Sequence, residues 1–202
     1  MSRPTEAAVP LAPSPVGLAA PSPVGFRLLT RADFPMLGGW LREAHVDRWW
    51  ANDSSPEVLE RDYGGAVDGT EPSDVFVAVV GGRPVGLAQR YRIEAYPAYV
   101  REIEAVLPVP AHAASIDYLI GPPDALGRGL GAEMVRRLTE TVWHDMPDVP
   151  AVVVPVHAEN AASWRALERA GYRRVGRGEL DPDNPADSRD HVLYQIDRPT
   201  GP

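Results

Sequence analysis

The chain has 202 residues, no cysteine, and 28 acidic against 20 basic side chains, for a formal net charge of −8. Without thiols there are no disulfides, thiolate metal sites or cysteine nucleophile, and an acidic chain with no Lys/Arg run is not a general nucleic-acid binder, since phosphate backbones require basic patches. Its five histidines fall in no zinc-type spacing, which predicts no metal, and no apolar run is long enough to span a membrane.

Residues 1–25 are rich in Ala, Pro, Ser and Gly, carry PSPVG twice and lack any period that builds a packed face, so they are expected to form a disordered tail. Prolines 10, 13 and 15 interrupt the one apolar stretch that a secretory leader would use. Residues 26–198 are expected to form a single domain, compatible with a cytoplasmic setting.

A strand over 26–29 leads to Thr30, placed to cap a helix whose Phe34, Met36, Leu37, Trp40 and Leu41 share one face. A second helix over 56–68 begins on Pro56 and turns Val58, Leu59 and Tyr63 inward. Strands over 74–80 and 84–93 flank Gly81-Gly82-Arg83, a hairpin signal. An apolar strand over 115–120 then passes through a glycine turn into a helix over 131–144, with Met134, Val135, Leu138, Val142 and Trp143 facing the sheet. A strand over 151–156, a helix over 160–170 ended by Gly171, and strands over 172–176 and 191–196 around a polar loop complete the chain. Strands upstream and alternating helices downstream predict an α/β (α+β) fold with a mixed sheet of about six to seven strands flanked by helices.

The stretch 114–137 carries the most chemistry. Gly127, Gly129 and Gly131 let the backbone approach a ligand closely, and the helix that follows presents unpaired N–H groups and the positive end of its dipole. This is a cradle for a phosphorylated cofactor. The same residues satisfy the dinucleotide pattern GxGxxA, but six residues separate the glycines from the strand and no acid follows the next strand to hold a ribose.

An acid inside an otherwise apolar strand is costly unless paired or functional, which singles out Asp117. Asp117 and Leu119 share one face of that strand, with Tyr118 and Ile120 on the other. Asp117 is a candidate proton acceptor, the alternative being a structural pair with an arginine. Trp49 and Trp50 offer a flat wall for a sugar ring, although one of them also suits the core. Gln89 and Tyr91 lie two apart on one strand face. Glu94, Glu102 and Glu104, in an expected loop before the Asp117 strand, suit ammonium groups or simply a solvated surface.

The strand–GRGLGA–helix arrangement resembles motif A of the GCN5-related N-acetyltransferases (GNAT fold), with Leu126 where the family usually has Arg or Gln. EAHVDRWW, PVGLAQRY, SIDYLIG, LGRGLGAEMVRRL and NAASWRALERAGYRRVG together resemble the aminoglycoside 6′-N-acetyltransferases. The resemblance implies acetyl-CoA as co-substrate, held by Leu119 and Ile120, by Leu126, Gly127, Arg128, Gly129, Leu130, Gly131 and Ala132, and by Asn160 and Trp164. It implies a cationic acceptor, an aminoglycoside, and Asp117 as proton acceptor in a ternary complex. Leu167 stands where members often carry a tyrosine near the departing sulfur, and Pro155 where an acid is expected. A hydroxylysine or siderophore-arm acyltransferase and a non-catalytic acyl-CoA-binding module are the competing expectations. The edge strands allow a monomer or a homodimer.

Overall fold

The computed structural model describes residues 24–51, 53–182 and 184–200. The tail expected over 1–25 falls almost wholly outside them, and Gly25 already belongs to the first strand.

One mixed sheet of seven strands runs in the order β1-β2-β3-β4-β5-β7-β6. Strands β1 (Gly25–Leu28), β2 (Ser73–Val80), β3 (Arg83–Arg92) and β4 (Ala114–Ile120) form an antiparallel half. Strands β5 (Ala151–His157), β7 (Asp190–Asp197) and β6 (Arg173–Glu179) form a second antiparallel half. The halves meet where β5 lies parallel to β4, and Ala114↔Val152 is the one ladder pair between them among the described residues. The β2–β3 turn works as its glycines require, with Gly81 at φ 58° and Gly82 at φ 81°.

Among the described residues six α-helices accompany the sheet: α1 (Phe34–Leu41), α2 (Ala44–Trp50), α3 (Pro56–Asp68), α4 (Pro97–Glu104), α5 (Leu130–Asp145) and α6 (Ala161–Arg169). Thr30 does not cap α1 directly. It opens a 3-10 turn over Arg31–Asp33, where the Asp33 carboxylate accepts from the Thr30 amide (3.0 Å) and hydroxyl (2.8 Å). Helices α2 and α4 are additions to the expected set.

The sheet is apolar on both faces because helices cover both. On one face Met134, Val135, Leu138 and Val142 of α5 pack on Ala88, Ile116, Val152 and Val154. On the other, Leu37, Leu41, Leu59 and Tyr63 of α1 and α3 pack on Val75, Val77, Leu87 and Leu119. Helix α4 continues that second cover over the far half, with Ile103 against Val153 and Leu193. Burial of this kind contributes about 1.5–3 kcal/mol per large side chain. The crossover through α5 joins the two parallel strands and sets the end of β4 beside the start of α5.

Candidate active site

Strand β4 ends at Ile120, a 3-10 turn covers Pro123–Ala125, and α5 begins at Leu130. Between them Gly127 and Gly129 have φ of 71° and 78°, the left-handed region that side chains disfavour, and a Cβ at either would enter open space. Gly129 is the N-cap of α5 and brings no side chain to it, so the first-turn amides of Leu130, Gly131 and Ala132 face outward with the dipole's positive end. A phosphate-bearing ligand fits here on backbone grounds. Leu126 is 43% exposed, so the side chain at the departing position is not part of the protein's own packing. Gly131 differs from the other two: it sits inside the helix, where a Cβ would meet that of Ala166 at an ordinary contact distance of 3.7 Å. The loop is tied to the β2–β3 hairpin by Arg83, whose guanidinium holds Asp124 at 2.8 and 2.9 Å. Asn160 caps α6 by accepting from the Ser163 amide, and the half-buried Trp164 lies under the Arg165 guanidinium at 5.0 Å.

Asp117 occupies β4 opposite Gln89 of β3, and the next pair along the same face is Tyr91↔Ser115. Directly opposed antiparallel residues share a face, so Gln89, Tyr91, Asp117 and Leu119 line the side covered by α1–α3. Arg90, next to Gln89, points to the other face and is held there by Asp74 and Asp145. Tyr118 also takes the other face, where its hydroxyl lies 2.8 Å from Ser163 Oγ and donates to the Ser163 carbonyl at 3.1 Å.

Three tyrosines gather beside Asp117. The ring of Tyr91 meets Tyr96 edge-on at 5.1 Å and Tyr99 at 6.2 Å, and Tyr96 donates to Glu71 at 2.8 Å. Burial, with the Asp117 charge second, pushes the Tyr91 hydroxyl well above the usual phenol range. Burial, Glu71 and the more distant Asp117 push Tyr96 up to about 12. Both hydroxyls therefore stay protonated at neutral pH as hydrogen-bond donors beside a carboxylate. Tyr96, Tyr99 and Glu71 carry no sequence signal of their own, because only the fold brings them to this strand.

The EAHVDRWW stretch forms α2, which bridges the two half-sheets. His45 Nε2 lies 2.8 Å from the Ile120 carbonyl at the end of β4 and, protonated there, donates to it. One turn on, the Trp49 ring stands 5.5 Å from His157 at the end of β5, with the Arg48 guanidinium over it at 4.3 Å. The two tryptophans thus diverge: Trp49 faces the end of β5, while Trp50 packs against the α1–α3 core.

The three glutamates are not on a loop. Glu94 lies in a 3-10 turn and Glu102 and Glu104 in α4, which starts on Pro97; proline breaks a helix interior but favours the first turn. Glu94 and Glu104 border a cavity of about 110 Å³ near Ala113, the end of β4 away from the glycine cradle. His112 Nδ1 approaches Glu94 at 3.2 Å. Glu94 and Glu104 are thus separated along β4 from Asp117, which the structure groups with Gln89 and Tyr91. Among the described residues no three His, Asp or Glu side chains converge as metal ligands.

An open glycine cradle at the end of a strand that carries a half-buried carboxylate, in a mixed sheet parted beside that strand, defines an N-acetyltransferase of the GNAT class, and residues 30–180 match the acetyltransferase (GNAT) domain family. The curated type 1 aminoglycoside N(6′)-acetyltransferases of Klebsiella pneumoniae and Serratia marcescens are each 31% identical to this chain over 166 residues, 81% of it and 80% of each relative. The chain belongs to the GNAT acetyltransferases, in the branch of these relatives. A solved structure of AAC(6′)-Ib with paromomycin and acetyl-CoA superposes with a TM-score of 0.75 at 27% identity, covering 88% of this chain and 94% of that one. The same enzyme with coenzyme A and kanamycin gives 0.73 at 28% identity, covering 87% and 95%.

Proposed function

We propose that this protein moves the acetyl group of acetyl-CoA onto an amino group of an aminoglycoside, with Asp117 as the proton acceptor. The observation that carries this reading is the placement of Asp117 and the cradle on one short stretch: the carboxylate is three residues from the end of β4, and the open amides follow directly after.

Acetyl-CoA supplies a thioester, whose thiol leaves readily as thiolate because its pKa is near 8.5. The amides of Leu130, Gly131 and Ala132 hold the pyrophosphate, Gly127 and Gly129 leave room for it, and backbone N–H groups of β4 near Leu119 polarise the carbonyl. The ammonium of the acceptor gives a proton to Asp117, directly or through water; the free amine then forms the C–N bond as the C–S bond breaks. Leu167 is fully buried in the core and offers no acid to the sulfur, so the thiolate departs unprotonated and takes its proton from solvent. Gln89, Tyr91 and Trp49 orient the acceptor, and the acidic chain attracts a polycation. The relatives' names support the 6′ amine as the position acetylated, and the supply of acetyl-CoA supports a cytoplasmic setting.

The test is CoA release by the purified protein with acetyl-CoA and kanamycin, ribostamycin, hydroxylysine and a peptide N-terminus, with NMR of any product. Turnover of an aminoglycoside with acetylation at the 6′ amine is the expected result. Turnover of hydroxylysine alone, or acetyl-CoA binding with no turnover of any amine, overturns the reading.

A further inference from the structure

The loop between β6 and β7, described at residues 180–182 and 184–189, leaves its own half-sheet and reaches α2. Arg48 Nη1 meets both carboxylate oxygens of Asp187, at 2.6 and 2.7 Å, and Asn184 Nδ2 donates to the backbone carbonyl of the same Arg48 at 3.1 Å. The partners are 139 and 136 residues apart in the chain. On the loop side the arrangement is stiffened by a turn in which the Asp187 amide donates to the Asn184 carbonyl, and by the Ala186 amide donating to Asn184 Oδ1. The Asp187 side chain is only 9% exposed, against 43% for Arg48. His157 Nε2 lies 3.1 Å from both the carbonyl and the hydroxyl of Ser188, so the strand end on which Trp49 rests is bonded to the same loop.

We propose that Arg48, Asp187 and Asn184 form a latch that positions α2, and Trp49 with it, for binding of the acceptor. The latch rests on the acetyltransferase reading above and adds positioning residues to it; none of the three touches the reacting atoms. Helix α2 has seven residues, too few to hold its own shape in water. It is fixed at its start by His45 on β4, and at its end by the latch. An ion pair with one half-exposed partner adds little to global stability, so its consequence is where α2 sits. Among the described residues, Asp190 is engaged by Arg177, and Asp181 and Glu179 by Arg189, while Glu159, after β5, stands 3.8 Å from the same Arg48. Asp187 is, among the described loop residues, the carboxylate that reaches across to α2, at 2.6 Å from Arg48.

The experiment compares the full chain with Asp187→Asn, Arg48→Gln, Asn184→Ala and the reversed pair Arg48→Asp/Asp187→Arg. It uses steady-state kinetics in kanamycin and in acetyl-CoA, with amide hydrogen exchange of segments 44–50 and 180–189. Each charge-removing variant is expected to raise the kanamycin KM about 10-fold while kcat and the acetyl-CoA KM stay within about twofold. The reversed pair should recover much of the loss, and Asn184→Ala should show a smaller effect of the same kind. Exchange should quicken in both segments together. Unchanged kanamycin KM, an acetyl-CoA KM that rises in step, a reversed pair no better than the single variants, or exchange that quickens in the loop alone would each overturn the latch. Should the unmodified protein acetylate no aminoglycoside, the functional reading fails, and the exchange pattern still decides the latch by itself.

Discussion

The two sides of the candidate site are built from different material. The donor side is backbone: positive-φ glycines and the uncapped first turn of α5, with Leu126 pointing to solvent. The acceptor side is side chain: Asp117 beside Gln89 and the Tyr91–Tyr96–Tyr99 group on one strand face, and Trp49 on a short helix tied down by His45 and Arg48. A backbone cradle tolerates most sequence change provided its glycines stay, whereas a side-chain wall changes shape with each residue. If the site works as proposed, the difference teaches that donor recognition is set by local conformation, while acceptor recognition depends on tertiary placement.

The sharpest way to break this comparison is Asp117→Asn, which keeps shape and removes the base. Turnover is expected to fall about 100- to 1000-fold with the acetyl-CoA dissociation constant unchanged by calorimetry; equal turnover by wild type and variant would remove Asp117 from the mechanism. Next comes Gly129→Val, which places a β-branched side chain at φ 78° in the cradle. Acetyl-CoA affinity should weaken about 10- to 100-fold by strain and lost approach, while the kanamycin KM at saturating donor stays put; a variant that binds acetyl-CoA normally would show that the turn is structural only. Stability separates the halves in a third way. The Arg27 guanidinium, with Thr30, holds the Asp33 carboxyl down to about 2, so its contribution is full above about pH 4 and is lost as pH falls through 2. Solvent around the half-exposed Arg27 screens the pair. Asp33→Asn should therefore cost about 1–2 kcal/mol in urea unfolding at pH 7, and the gap from wild type should close between pH 4 and pH 2; a gap that persists at pH 2 would assign the loss to packing under α1. The smallest effect is expected from Leu126→Ala: acetyl-CoA KM within about twofold, because a cradle of amides does not use that side chain. A 10-fold change would show that the loop binds through side chains after all.

What the sequence made legible follows the same division. The β3–β4–α5 run, the hairpin at Gly81-Gly82 and the strands along the chain could be located because glycine, capping and period-2 signals are local. Asp117 stood out because a charge in an apolar strand has to be explained. Helices α2 and α4, with seven and eight residues, span about two turns each, too few for a hydrophobic period to show. Glu102 and Glu104, expected on a loop, lie on α4, which opens on Pro97. The link from His45 to Ile120 joins residues 75 apart, and nothing near either of them in the chain announces it. Asn160 fits the family pattern, and the fold also uses it to cap α6 through the Ser163 amide. Pairings of that kind exist only once distant segments have met.

The single ladder pair between β4 and β5 has a consequence for the energetics of the whole molecule. Past Ala114 and Val152 no further ladder pair joins the two strands among the described residues, which leaves peptide groups on their facing edges open to another partner. Bound as proposed above, a donor whose pantetheine arm carries two amides would meet those edges and tie the halves together. The donor is then a conformational ligand as well as a reagent: at 100 times its dissociation constant, it would stabilise the fold by about 2.7 kcal/mol. In the cell, the protein's resistance to unfolding would rise and fall with the supply of acetyl-CoA.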